Sequence, residues 1–314
     1  MKERKFSMGI LPCVLHGMAL YAAVSLLTGC TGEEDGTMPG KDGRVALEVS
    51  SGIDVQTRAH DETWETGDAI GIYMLDGETV EAGNREYTTA STGKRGDFAA
   101  AAGQTVYFPV DGSARDFISY YPYRTLPESN LYTVDVGRQS VQKDIDLMGS
   151  GKATGKTKDN PGVQFEFRHK LVKLYLVIKP DGTSLSAGDM EGLGVSITNQ
   201  KTQATYDVVK GGDVAVGTEG NAATTIELLT DAKGTKSEGI VLPNSSTGNM
   251  LFGFHLKNGT TFTWAINKAA QSQQFTAGNK YVYAITIGKT AVEVTSSVTD
   301  WTPGNGGGET GNAE

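Results

Sequence analysis

The 314-residue chain has few thiols and imidazoles: two cysteines, Cys13 and Cys30, and four histidines. Such scattered residues exclude a cysteine-rich zinc module and a disulfide framework. Positive charge is short as well, with 28 Lys and Arg against 37 Asp and Glu and a formal net charge of −9. Without a long basic run the chain is a poor partner for a phosphate backbone, so nucleic acid is not expected. Helical patterning is missing; no window of about fifteen residues joins a helical apolar repeat to helix caps. Neither Gly-x-Ser-x-Gly nor His-Glu-x-x-His occurs, which removes two common hydrolase signatures. What is present is a globular composition, 38% hydrophobic and 8% aromatic, rich in glycine with 41 residues.

Residues 1–29 read as a signal peptide. Lys2, Arg4 and Lys5 form a basic start, an apolar stretch follows from Met8 to Leu27, and small residues precede a cysteine. Leu27-Thr28-Gly29-Cys30 resembles the lipobox of bacterial lipoproteins. That resemblance implies diacylglycerol on the Cys30 thiol, a cut before Cys30 and an acylated new terminus, an anchor more durable than one chain gives. Cys13 is lost with the signal. The acidic run Thr31-Gly-Glu-Glu-Asp35 fits a surface-export signal or a plain hydrophilic tether. Residues 30–43 are read as a flexible tether.

Beyond the tether the pattern is β throughout, and the chain is expected to be all-β. Val45, Leu47 and Val49 alternate with polar or small residues, as do Tyr281, Tyr283, Ile285 and Ile287, and then Val292, Val294 and Val298. Ala69–Met74, Thr105–Phe108, Asp116–Tyr121 and Leu171–Ile178 read as further strands. Asn258-Gly259 is a hairpin signal, because both residues tolerate positive φ. Gly149 to Gly162 has no large apolar residue and reads as an inter-domain linker or a long exposed loop. Two β-rich domains are expected, 44–160 and 161–302, followed by a disordered tail, 303–314.

Candidate chemistry is thin. Gly149 to Thr157 comes nearest to a phosphate loop, but Ser150 stands where the spacing needs glycine. Lys158-Asp-Asn-Pro-Gly162 cannot open the helix that would hold the phosphate. Asp144 and Asp146 would share a strand face, and Asp61, Glu62, Glu65 and Asp68 crowd one loop; both sets read as solvated turn residues. His169, placed at the start of the strand from Leu171, reads as structural. No catalytic, cofactor-binding or metal-binding residue is expected, and no cofactor.

Several stretches in order carry a family resemblance: Cys30, Thr57-Arg58-Ala59, Trp64 to Tyr73, Phe117-Ile-Ser-Tyr-Tyr-Pro-Tyr123, Phe165 to Leu174, and Tyr281 to Ile287 with Val298-Thr-Asp-Trp301. Together they resemble the fimbrillin family, the subunits of type V pili. The resemblance implies two transthyretin-like β-sandwich domains in tandem and no enzyme activity. It implies an outer-membrane lipoprotein at the cell surface and in the fimbrium. It also implies a trypsin-like cut after an arginine and assembly by donor-strand exchange. On this chain the cut falls between Arg58 and Ala59, with Arg44 as the alternative. The removable strand is Val45, Leu47, Val49, and the donor candidate is Val292, Val294, Val298. Implied partners are other pilus subunits, the membrane through Cys30, and a host protein or glycan. Stalk, tip and anchor roles stay open. The competing reading is a monomeric glycan-binding lipoprotein with Trp64, Trp264 or Trp301 as its platform.

Overall fold

The computed structural model describes residues 43–52, 63–217 and 221–301, all within one compact unit that starts at Met38. The signal segment, Cys30, Arg58, Ala59 and the tail 303–314 lie outside the described residues. Their regular secondary structure is almost entirely strand, broken only by short 3-10 turns, as the period-2 pattern requires.

The first half is built from β1 (Glu48–Gly52), β2 (Ala69–Asp76), β3 (Thr79–Thr89), β4 (Arg95–Ala100), β5 (Arg115–Tyr121), β7 (Met148–Ser150), β8 (Ala153–Lys156) and β9 (Gly162–His169). They hydrogen-bond in the order β2-β3-β4-β1-β9-β7-β5, and β5 pairs back onto β2. The sheet therefore closes on itself, with β8 attached to β5 outside the closed set. Closure removes the sheet edges that would otherwise invite association. The interior is filled by alternate side chains, including Leu47, Val49, Phe98, Val163, Phe165, Phe167 and the fully buried Trp64.

The second half is layered. One sheet has the order β15 (Leu229–Thr230), β16 (Lys236–Val241), β10 (Val172–Pro180), β19 (Asn279–Ile287), β20 (Val292–Asp300). A second runs β14 (Thr224–Glu227), β11 (Gly194–Gln200), β17 (Leu251–His255), β18 (Thr261–Ala265). Their inner faces share one buried cluster, where Phe252 of β17 meets Tyr283 of β19 edge-on at 4.9 Å. The turn at Asn258-Gly259 joins β17 to β18, and Gly259 takes the positive φ of +88° that the sequence suggests. A third sheet, β13 (Ala215–Val216), β12 (Gln203–Asp207), β6 (Leu131–Asp135), pairs a strand from before residue 160 with strands from after it.

Three local readings of the sequence differ from what is observed. Residues 149–162 are not a linker: Gly149 and Ser150 lie in β7, and Ala153–Lys156 forms β8 against β5. Gly149 serves close approach here, since a Cβ on it would sit 2.0 Å from the Tyr206 hydroxyl. Asp144 and Asp146 share no strand; Gln142–Asp144 is a 3-10 turn, and Asp146 turns inward beside His169. His169 ends β9 rather than starting the next strand, so Phe165 to Leu174 spans two sheets.

One edge of the five-stranded sheet is closed by a side chain. The Gln139 amide donates to the Ile240 carbonyl at 2.9 Å and accepts from the Ile240 N–H at 2.8 Å, like a one-residue strand. Gln139→Ala leaves both buried groups unpaired and should cost about 2–4 kcal/mol. A urea melt checks this, and a loss below about 0.5 kcal/mol would show that the amide is replaceable.

Candidate functional site: the first strand and its groove

β1 sits inside the closed sheet. It runs antiparallel to β4, with Val49 opposite Phe98, and parallel to β9, with Glu48 opposite Gly162 and Gly52 opposite Glu166. The residues just before it extend the contact. Leu47 N–H donates to the Val106 carbonyl at 2.9 Å, and Phe108 N–H donates to the Val45 carbonyl at 3.0 Å. Leu47, Val49 and Ser51 point inward and are buried, while Val45 packs against the same cluster and Glu48 faces solvent. Sequence reading found the first three inward positions and missed Ser51, whose small polar side chain hides the alternation. Arg44 lies over the Tyr107 ring at 4.2 Å.

The flanking strands depend on β1. In β9, residues 162–166 pair with β1, and β7 takes up only 167–169. In β4, residues 95–98 pair with β1, and β3 takes up only 98–100, so 95–97 pair with β1 alone among the described strands. Withdrawal of β1 would therefore bare backbone groups on both walls of an apolar slot. That combination is costly in water and suits an incoming extended segment.

The other expected strand, β20, lies at the far edge of its sheet and pairs with β19 from Ile287↔Val292 to Asn279↔Asp300. Val292, Val294 and Val298 are half-buried against the core, as their alternation implies. The structure does not bring β20 beside β1; the two belong to different sheets.

Of the remaining candidates, Asp61 and Glu62 lie outside the described residues; those described have structural partners. Asp68 accepts the Glu65 N–H at 2.8 Å and the Tyr121 hydroxyl at 3.2 Å, and burial raises its pKa. Glu65 lies in a cleft of about 300 Å³ that also includes Gln142 and Glu238. That polar wall is committed: Lys173 Nζ lies 2.6 Å from Glu238 and 2.5 Å from Gln142 Oε1. Among the described residues no group of three or more His, Cys, Asp or Glu could hold a metal ion. Among them, too, no helix is long and apolar enough to cross a membrane. Trp64, Trp264 and Trp301 are all buried, at 0%, 8% and 5% exposure. The tryptophan platform that a glycan-binding reading needs is therefore absent among the described residues.

Comparison with known proteins gives the family. The family described as Fimbrillin-like matches residues 57–301. A Bacteroides uniformis protein provisionally named fimbrium subunit Fim1C is 58% identical over 300 residues, covering 94% of this chain and 97% of its own. A crystal structure of a provisionally assigned cell adhesion protein from Bacteroides uniformis superposes with a TM-score of 0.77 at 55% identity, over 83% of this chain and 99% of that one. One from Bacteroides ovatus, at 20% identity, shares the fold with a TM-score of 0.65 over 83% of this chain and 99% of its own. The chain therefore belongs to the fimbrillin-like family of fimbrial subunits, which are structural proteins rather than enzymes.

Proposed function

We propose that this chain is a subunit of a cell-surface type V pilus that assembles by donor-strand exchange. It is exported as an outer-membrane lipoprotein through Cys30 and cut between Arg58 and Ala59. The cut frees residues 30–58, and with them β1. The closed sheet and the C-terminal layers are read as the family's two transthyretin-like sandwiches. The observation that carries the proposal is the interior position of β1, whose neighbours pair with no other strand along residues 95–97 and 162–166 among the described residues.

The sequence supports each step. Arg58 is the only Lys or Arg between Gly52 and Thr63, so a trypsin-like cut behind β1 has one address there. A cut at Arg44 would leave β1 attached. The donor is the C-terminal strand of another copy or a related subunit. Inward positions in and before β1 read Val45, Leu47, Val49, Ser51, and those of β20 read Val292, Val294, Ser296, Val298. Both are short branched side chains with one serine, so β20 can present a similar row to the slot.

The test is brief trypsin treatment of the 30–314 chain, N-terminal sequencing of the product and electron microscopy. A new terminus at Ala59 and chains of linked subunits are expected. A product that starts elsewhere and stays monomeric would overturn the proposal.

A further inference from the structure

The last described residue, Trp301, does more than end a strand. It is buried, and its indole stacks on the imidazole of His169 at 3.7 Å with an interplanar angle of 5°. His169 is itself buried, and its Nδ1 lies 2.7 Å from Oδ1 of the buried Asp146. The Trp301 backbone N–H donates to the Gly278 carbonyl at 2.6 Å, and the Gly278 backbone N–H donates to the Leu171 carbonyl at 2.8 Å. This cluster fastens the end of an edge strand whose own inward side chains are only half-buried.

His169 is the final residue of β9, whose first five residues are held by β1. If β1 leaves, β9 keeps, among the described residues, only the ladder with β7 at 167–169, and His169 is the last residue of that ladder. The surface that holds Trp301 thus rests on the strand that loses most of its pairing. We propose that β9 couples the two ends of the molecule: with β1 seated, His169 is fixed and Trp301 clasps β20; with β1 displaced, the clasp loosens and β20 opens more often. The purpose of such coupling rests on the strand-exchange reading. It keeps the donor strand shut until the same subunit has an open groove, which suppresses premature polymerisation. The coupling itself is a property of the uncut monomer.

Hydrogen–deuterium exchange on the uncut chain tests it. Trp301→Ala should raise exchange across 292–300 by about tenfold or more while β17 stays protected, and Trp301→Phe, which can still stack, should restore most of the protection. Val49→Asp, which drives β1 out of the apolar interior, should raise exchange both at 162–166 and at 292–300. Linkage is reciprocal, so Trp301→Ala should also raise exchange at 48–52. Faster exchange at 162–166 with 292–300 unchanged in Val49→Asp would overturn the coupling. If Val49→Asp unfolds the whole chain, seen as lost protection in β17, the reciprocal measurement decides: unchanged exchange at 48–52 in Trp301→Ala overturns the proposal. Because no cut and no polymer enter this experiment, its failure is distinct from a failure of strand exchange.

Discussion

Arg58→Gln should reduce protease-triggered assembly by about a hundredfold or more, whereas Arg44→Gln should leave it unchanged. The reason is competition for one slot. While the chain behind β1 is intact, β1 competes for the slot at an effective concentration of about a millimolar. A donor strand on a separate subunit at about a micromolar offers similar burial but is outcompeted by roughly a thousandfold. Cleavage turns β1 into a separate peptide and removes that advantage. Leu47 and Val49 each contribute about 1.5–3 kcal/mol on burial, so the freed peptide still binds and leaves slowly. Assembly after the cut should therefore speed up when the free peptide is diluted. Timed electron microscopy or light scattering of wild type and the two variants measures this. Equal assembly by Arg58→Gln and wild type would place the cut, or the groove, elsewhere.

The second large effect is on stability. Trp64 has no exposed surface and meets Phe98, Tyr121 and Phe167 edge-on at 5.0, 5.4 and 5.4 Å. Its neighbours come from three strands of the closed sheet, so truncation opens a void that no single strand can fill by shifting. Trp64→Ala should cost about 3–5 kcal/mol. For a chain of this size that lowers the melting temperature by roughly 6–20 °C. Trp64→Phe should cost less, because an aromatic edge remains and the indole N–H, which finds no partner among the described residues, is removed. Thermal and denaturant melts of both variants check the order. A loss below about 1 kcal/mol in Trp64→Ala would mean that the interior collapses onto the void.

How much of this was legible in the sequence follows from what each signal measures. Alternation at Val45, Leu47 and Val49 reports which side of a strand is wet, and the structure buries the last two. The Asn258-Gly259 turn was legible because it depends on two adjacent residues. The strand at 153–156 was not, because none of its residues is buried and they carry no apolar rhythm. Nor was the partner of His169, since Asp146 lies 23 residues before it, with β7 and β8 between them. Phe165 to Leu174 reads as one motif, yet β9 and β10 enter different sheets between His169 and Val172.

By itself the sequence determined that the described chain is built of β-strands, where those strands alternate between wet and dry faces, and which family the ordered motifs resemble. These are local properties, set by side-chain polarity and turn chemistry within a few residues. Only the tertiary structure decided that β1 lies between β4 and β9, that β5 closes onto β2, and that Trp301 rests on His169. Each depends on which distant strand supplies the opposite row of hydrogen bonds. Period-2 alternation fixes a strand's face but leaves its partner open, and the partner is chosen by packing of the whole core.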